Sequence, residues 1–329
     1  MPIPDPAERH ITFLLIERFS MMAFFSAVEP LRIANRIAAA SLYGWTLASI
    51  DGTPVTASNQ MRLMVDAAAG SGETPTALAL CAGFAPLPTL PHRLVRWLYR
   101  LDRAGCRLGG IDTGAFLLAE AGLISADDHV TLHWESLPAF RERWPHLQAG
   151  EALYELGERR FFCAGGAAAM DMSLAAIARH HGEALAHAVA EQLIHDRLRS
   201  QDDQQRLSIA RRLNLHDRPL VDTIALMERH IEQPLPLDTL AQRASISRRQ
   251  QQRLFAERLN STPGAWYLAL RLAHARGLLA EGTMNITDIA LACGFTSTAA
   301  FSHAFRRQHD ISPRDFRRQQ HPDTSKAPR

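Results

Sequence analysis

Apolar residues in the first half of the chain come in short runs, and the stretches between them carry helical spacing. The runs at residues 11–16, 45–50, 61–65, 78–82, 106–111, 130–134 and 161–164 are each four to six residues long, the length of a strand. Between them, residues 23–39, 91–104, 114–121 and 135–144 place apolar side chains three and four apart, as an amphipathic helix does. Strands that are apolar throughout are buried on both faces. Alternating with helices, they predict an α/β domain with a doubly wound, mostly parallel sheet. Two further helices, 167–180 and 183–199, complete a domain spanning 9–199. Residues 200–218 turn polar and charged, with the run Gln201-Asp202-Asp203-Gln204-Gln205-Arg206, and read as a linker. From 219 to 320 only helical spacing remains. Residues 321–329 read as a disordered tail.

The helical half contains a repeat. Its first copy runs Asp238-Thr239-Leu240-Ala241, Ala244-Ser245-Ile246-Ser247, Phe255, Pro263. Its second runs Asp288-Ile289-Ala290, Cys293-Gly294-Phe295, Ser297, Phe305, Pro313. Ala241 and Ala290 lie 49 apart, whereas Ser247 and Ser297, Phe255 and Phe305, and Pro263 and Pro313 lie 50 apart, so the second turn is one residue longer. Small residues let the two helices of each copy cross closely. Ser247 and Ser297 stand where a side chain caps the following helix. Two helix-turn-helix units in tandem can set two helices into successive major grooves of DNA, about 34 Å apart.

Composition adds little to this until it is divided. Hydrophobic residues make up 47% and charged residues 21% of the 329, the balance of a globular protein with sizeable cores and two domains. From Pro219 onward there are 15 Lys and Arg against 10 Asp and Glu; before it there are 21 against 24. The positive balance that attracts phosphates therefore falls on the helical half. The four Cys have no metal-ligand spacing and read as small buried residues; no cofactor and no metal are expected. The start lacks a basic and apolar leader, and no apolar run has the length of a membrane span. A cytoplasmic location is expected.

Residues 219–318 resemble the AraC/XylS-type DNA-binding domain over its full length. The resemblance is carried by the repeat above, by Ser261-Thr262-Pro263, by Arg271-Leu272-Ala273-His274-Ala275 in a helix joining the halves, and by Ser312-Pro313-Arg314-Asp315-Phe316-Arg317. It implies that the helices following Ser247 and Ser297 contact duplex DNA. The outward positions of the first include Arg248, Arg249, Gln252 and Arg253. Arg pairs with guanine edges and Gln with adenine edges, so Arg249, Gln252 and Arg253 are the expected base readers. The second presents Thr298, Ala299, Ser302, His303, Arg306 and Arg307. That set reads sequence weakly, with Arg306 and Arg307 on phosphates.

In the first half, strand 106–111 leads through Gly109-Gly110-Ile111-Asp112-Thr113-Gly114-Ala115 into a helix. This resembles the nucleophile elbow of the DJ-1/PfpI, class I glutamine amidotransferase-like superfamily, a flavodoxin-like α/β fold. Further matches are Ser26-Ala27-Val28-Glu29-Pro30-Leu31-Arg32, Cys81-Ala82-Gly83-Phe84, Val130-Thr131-Leu132-His133-Trp134 and Cys163-Ala164-Gly165-Gly166. Enzymes of that superfamily carry Cys at the elbow; here Asp112 stands there, which removes thiolate chemistry. The combination resembles the GlxA-type regulators, in the branch sensing choline- and carnitine-derived amines or arginine. The resemblance implies a catalytically degenerate sensor domain. It also implies a homodimer and activation through RNA polymerase. The competing reading is a residual hydrolase or amidase. A pocket built from Glu29, Gly83, Phe84, Asp112, Thr113, His133 and Trp134 would hold a zwitterion such as betaine, carnitine or arginine. Asp112 and Glu29 would face its cation, and ring faces of Trp134, Phe84 and Phe24 would pack on it. The N–H groups opening the helix at Thr113-Gly114 would take its carboxylate. Alternatives stay open at this point: Asp112 as a helix N-cap, Trp134 in the core, His133 as a structural hydrogen-bond partner.

Overall fold

The computed structural model describes residues 9–83, 90–281 and 284–320. The chain divides between Gln205 and Arg206 into two units. The first contains strands β1 (Arg9–Leu15), β2 (Tyr43–Ser49), β3 (Val55–Thr56), β4 (Arg62–Leu63), β5 (Ala67–Ala68), β6 (Ala77–Cys81), β7 (Arg107–Ile111), β8 (His129–Thr131), β9 (Gln148–Gly150), β10 (Tyr154–Leu156) and β11 (Arg160–Cys163). Its helices are α1 (Met21–Ala38), α2 (His92–Arg103), α3 (Ala115–Glu120), α4 (Leu137–Arg143), α5 (Ala168–His181) and α6 (Glu183–Gln192). Seven strands form one sheet in the order β10-β11-β7-β6-β1-β2-β5. All its neighbours run parallel except β10 against β11.

Alternate residues of the central strands face opposite sides. Phe13, Leu15, Ala79, Cys81 and Ile111 pack with Ala27 and Leu31 of α1 and Met172 and Ile177 of α5. Leu14, Leu78, Leu80 and Leu108, on the other face, are equally buried. Burial on both faces is why these strands are apolar without alternation. No helix among the described residues is long and apolar enough to cross a membrane.

Three expected elements differ. Of residues 61–65 only Arg62–Leu63 are paired, in a small hairpin with β3. Residues 130–134 yield the short β8, which pairs with β9 outside the main sheet and leaves His133 and Trp134 in the loop that follows. The helix expected over 183–199 stops at Gln192. There the chain turns, with Ile194 at φ 55°, to bring His195 and Arg199 onto Asp171 of α5. That carboxylate is buried. It takes bonds from the Arg199 backbone N–H (3.0 Å), Nε (3.0 Å) and Nη2 (2.6 Å), and lies 3.1 Å from His195 Nε2. A continued helix would have left a buried charge without partners, which is costlier than ending the helix.

The second unit contains α7 (Ile209–Arg212), α8 (Arg218–Arg229), α9 (Leu237–Arg243), α10 (Arg248–Leu259), α11 (Pro263–Glu281), α12 (Ile286–Ala292), α13 (Thr298–His309) and α14 (Pro313–Gln320). The repeat in sequence is a repeat in conformation. Ser247 Oγ accepts from Gln250 N–H at 3.2 Å and Ser297 Oγ from Ala300 N–H at 3.2 Å. Asn260 (φ 46°) and Asp310 (φ 57°) end α10 and α13 in the left-handed region. Leu220, Ile224, Met227, Leu240, Leu254 and Phe255 form one core. Phe295, Phe301, Phe305 and Phe316 stack into the other.

Helix α11 ties the two halves together. The Tyr267 hydroxyl donates to the His230 carbonyl (2.6 Å) and accepts from Leu235 N–H (3.3 Å). Arg271 donates to the carbonyls of Cys293 (2.7 Å) and Gly294 (2.8 Å), and its guanidinium sits 4.2 Å from the Phe295 ring centre. Gly294 itself has φ +71°, and a Cβ there would fall 2.5 Å from Cγ of Pro234. Only glycine permits both that conformation and that approach.

Candidate effector cavity and nucleic-acid interface

Strand β7 ends at Ile111, and α3 starts four residues later. Between them Asp112 adopts φ 63°. This is the strained strand-to-helix turn expected of an elbow, in a region Asp tolerates better than most residues. Asp112 N–H bonds the Cys163 carbonyl at 2.9 Å, fixing the turn against the end of β11. Gly165 (φ +89°) passes so close that a Cβ would lie 2.9 Å from Asp112 Cγ. A cavity of about 340 Å³ opens here, beyond the C-terminal ends of β6, β7 and β11, within the size range of small-molecule sites. Gly83, Asp112, His133 and Trp134 all line it, together with Arg199 and Gln205. Trp134 is 37% exposed, so it is not a core residue. Burial, opposed by Glu135, holds His133 below the usual imidazole range, so it is neutral at pH 7.

Other expected members are placed elsewhere. Glu29 is not among the lining residues; it accepts from Arg32 Nε (2.9 Å) and Nη2 (2.6 Å) on the same helix. Thr113 is buried and its hydroxyl donates to the Gly83 carbonyl, so it braces the wall from behind. Phe24 packs edge-on against Phe13 and Phe19 in the core. Phe84 lies outside the described residues. The N-cap of α3 is Gly114, not Asp112. The helix is one and a half turns long, and the N–H groups of Gly114 and Phe116 are taken by the carbonyls of Ile111 (3.1 Å) and Thr113 (3.0 Å). They are not available for an anion. The positive group on the wall is Arg199 instead.

The cysteines lie inside the fold. All four Cys are buried and free of disulfides. Burial pushes Cys106 up to about 11 and Cys163 up to about 12, and raises Cys81 as well. At pH 7 these thiols are protonated.

In the helical unit, Arg249, Gln252 and Arg253 are exposed on α10, in the outward row expected of base readers. Arg253 Nη1 lies 3.5 Å from Glu257, a solvent-exposed contact of little energy. Arg248 differs. Its Nε bonds Asp238 at 2.7 Å and its Nη1 donates to the Gln251 side chain at 2.6 Å. It links α9 to α10. On α13, Ala299, His303, Arg306 and Arg307 are exposed, whereas Ser302 and Thr298 are half-buried, and Thr298 Oγ1 is 3.3 Å from Thr287 Oγ1.

Comparison with known proteins identifies the helical unit. Residues 240–319 match the family model of the helix-turn-helix domain. The chain is 46% identical over 301 residues to the HTH-type transcriptional regulator CdhR of Pseudomonas aeruginosa, covering 92% of this chain and 89% of that protein. To the HTH-type transcriptional regulator GlxA of Rhizobium meliloti it is 36% identical over 314 residues, covering 94% and 96%. The chain belongs to this family of HTH-type transcriptional regulators. It binds DNA and regulates transcription. Among solved structures it is similar to an AraC family transcriptional regulator from Pseudomonas putida, at 30% identity and TM-score 0.52, covering 57% of this chain and 100% of that one. A THiJ/PfpI family protein from Pseudomonas syringae, at 14% identity and TM-score 0.50, shares the fold over 81% of this chain and 93% of its own.

Sequence reasoning missed Arg199, Gln205 and Gly165 on this regulator's cavity. The first two sit at or beside the charged stretch read as helix end and linker. The Gln205 amide donates to Thr131 Oγ1 (3.1 Å), the Leu132 carbonyl (3.1 Å) and the Ala152 carbonyl (2.9 Å). Only the Gly165-Gly166 pair carried a local signal, a break between β11 and α5.

Proposed function

We propose that this regulator senses a small zwitterionic nitrogen compound, of the betaine, carnitine or arginine type, in the cavity beside Asp112. The observation that carries the reading is the convergence of Asp112, His133, Trp134 and Arg199 on one cavity. Asp112 matches a cationic nitrogen and the Trp134 ring packs against it. Asp171 holds Nε and Nη2 of Arg199, which leaves its Nη1 N–H groups to donate to the ligand carboxylate. Neutral His133 donates or accepts without adding charge.

The segment from Arg199 to Gln205 forms part of the cavity wall and runs directly into the DNA-binding unit. Ligand that tightens this wall favours one setting of the following residues 206–218, and DNA occupancy changes by population shift. The protein acts as a dimeric cytoplasmic activator that contacts RNA polymerase, with no catalytic turnover in the α/β unit. Calorimetry with betaine, carnitine, sarcosine and arginine on wild type and Asp112→Ala tests the site. Affinity unchanged by Asp112→Ala removes Asp112 from it, and steady turnover of an amide substrate would replace the sensor reading with the hydrolase one.

A further inference from the structure

The opposite end of the α/β unit holds a second cavity, of about 90 Å³, between the sheet and the layer of α1 and α5. It opens at the N-terminal ends of β1, β6 and β7, away from the elbow. Its walls are apolar: Ile11, Phe13, Leu31, Phe161, Met172 and Ala176. Its rim is not. Arg9, Arg107 and His180 line the opening. Burial, followed by the neighbouring charges of Arg179 and Arg9, lowers Arg107.

These cations have no carboxylate among the described residues. Arg107 donates only to the carbonyls of Glu158 (3.0 Å) and Gly157 (2.8 Å), and Arg179 to that of Leu156 (2.8 Å). Arg9 Nε is buried with no hydrogen-bond partner. His180 Nδ1 lies 3.1 Å from the Tyr43 hydroxyl. Burial and then the cations Arg9, Arg107, His181 and Arg179 push it down to about 4. Three guanidiniums around a neutral imidazole, over an apolar slot, form an arrangement that repels itself and that an anion would relieve.

We propose that this slot is a second ligand site, for a small organic carboxylate with a short aliphatic or aryl tail. The carboxylate sits between Arg9 and Arg107, with Arg9 Nε as a preformed donor, and the tail fills the slot. The charge of the rim rejects free amines. The apolar walls reject inorganic phosphate, and the volume rejects a long acyl chain. The site is independent of the elbow cavity, and its ligand is a different chemical class from the zwitterion proposed there.

Butyrate and benzoate serve as probes on the full-length protein, followed by calorimetry and ligand-observed NMR, with octanoate, phosphate and choline as comparators. Saturable binding of the two short carboxylates at millimolar concentration is expected, with none for phosphate or choline. Arg9→Met, which removes a rim charge without touching the core, weakens it at least about tenfold. Ala176→Leu, which fills the slot, abolishes it in protein that still melts cooperatively, and Asp112→Ala leaves it intact. No saturable binding of either probe, or binding that survives both Arg9→Met and Ala176→Leu, overturns the proposal. So does binding that Asp112→Ala strengthens, which would put the carboxylate beside Arg199 at the elbow.

Discussion

Replacing Asp171 by Ala tests the anchor on which one wall of the elbow cavity depends. The Asp171 side chain is fully buried, and the Arg199 side chain is 30% exposed. Truncation removes the acceptor of three bonds from Arg199 and leaves a half-buried guanidinium without its carboxylate. Breaking a buried pair by removing one partner costs about 3–5 kcal/mol; the partial exposure of Arg199 puts the expected loss at the low end, about 3 kcal/mol. In a unit of this size that lowers the melting temperature by roughly 6–12 °C. Four of the five Trp lie in the α/β unit, so tryptophan fluorescence reports mainly on it. Asp171→Asn keeps the shape and some of the hydrogen bonding, and is expected to lose about half as much. A loss below about 1 kcal/mol for Asp171→Ala would mean that segment 193–205 is held by something other than this carboxylate, and the coupling route through the cavity wall would fall with it.

Arg253→Ala is expected to cost about 1–3 kcal/mol in DNA affinity and relax preference at one base position, whereas Arg307→Ala weakens all sequences alike and flattens the salt dependence. Binding-site selection and salt titration separate the two, and unchanged base preference for Arg253→Ala would remove it from the readers. Gly294→Ala places a Cβ against Pro234 at φ +71°. It should destabilise the helical unit by about 1–3 kcal/mol and lower DNA affinity while leaving ligand calorimetry of the α/β unit unaltered. Stability should also fall with acidity. His180 titrates near 4 in the fold, so the unfolded chain binds its proton first, and stability present above about pH 6.5 is lost as pH falls toward 4. Discounted for its exposure to solvent, the loss at this one residue is up to about 2 kcal/mol. Urea melts at pH 7 and pH 5 check it, since His180→Gln should remove part of the difference.

The sequence by itself determined whatever depends on residues close along the chain. The apolar runs marked the strands of the parallel sheet. The Ser247 and Ser297 caps and the 49- and 50-residue offsets marked the two helix-turn-helix units. Asp112 between a strand and a helix marked the elbow. Periods, caps and turns are short-range physics, and each is written in a handful of consecutive residues. Tertiary structure alone decided what depends on distant partners. Arg248 was drawn to Asp238 across two helices. Asp171, unremarkable within its helix pattern, ended α6 early and carried Arg199 and Gln205 to the cavity. A buried charge must find partners wherever the fold supplies them, and no local pattern names partners that lie 24 or 28 residues away.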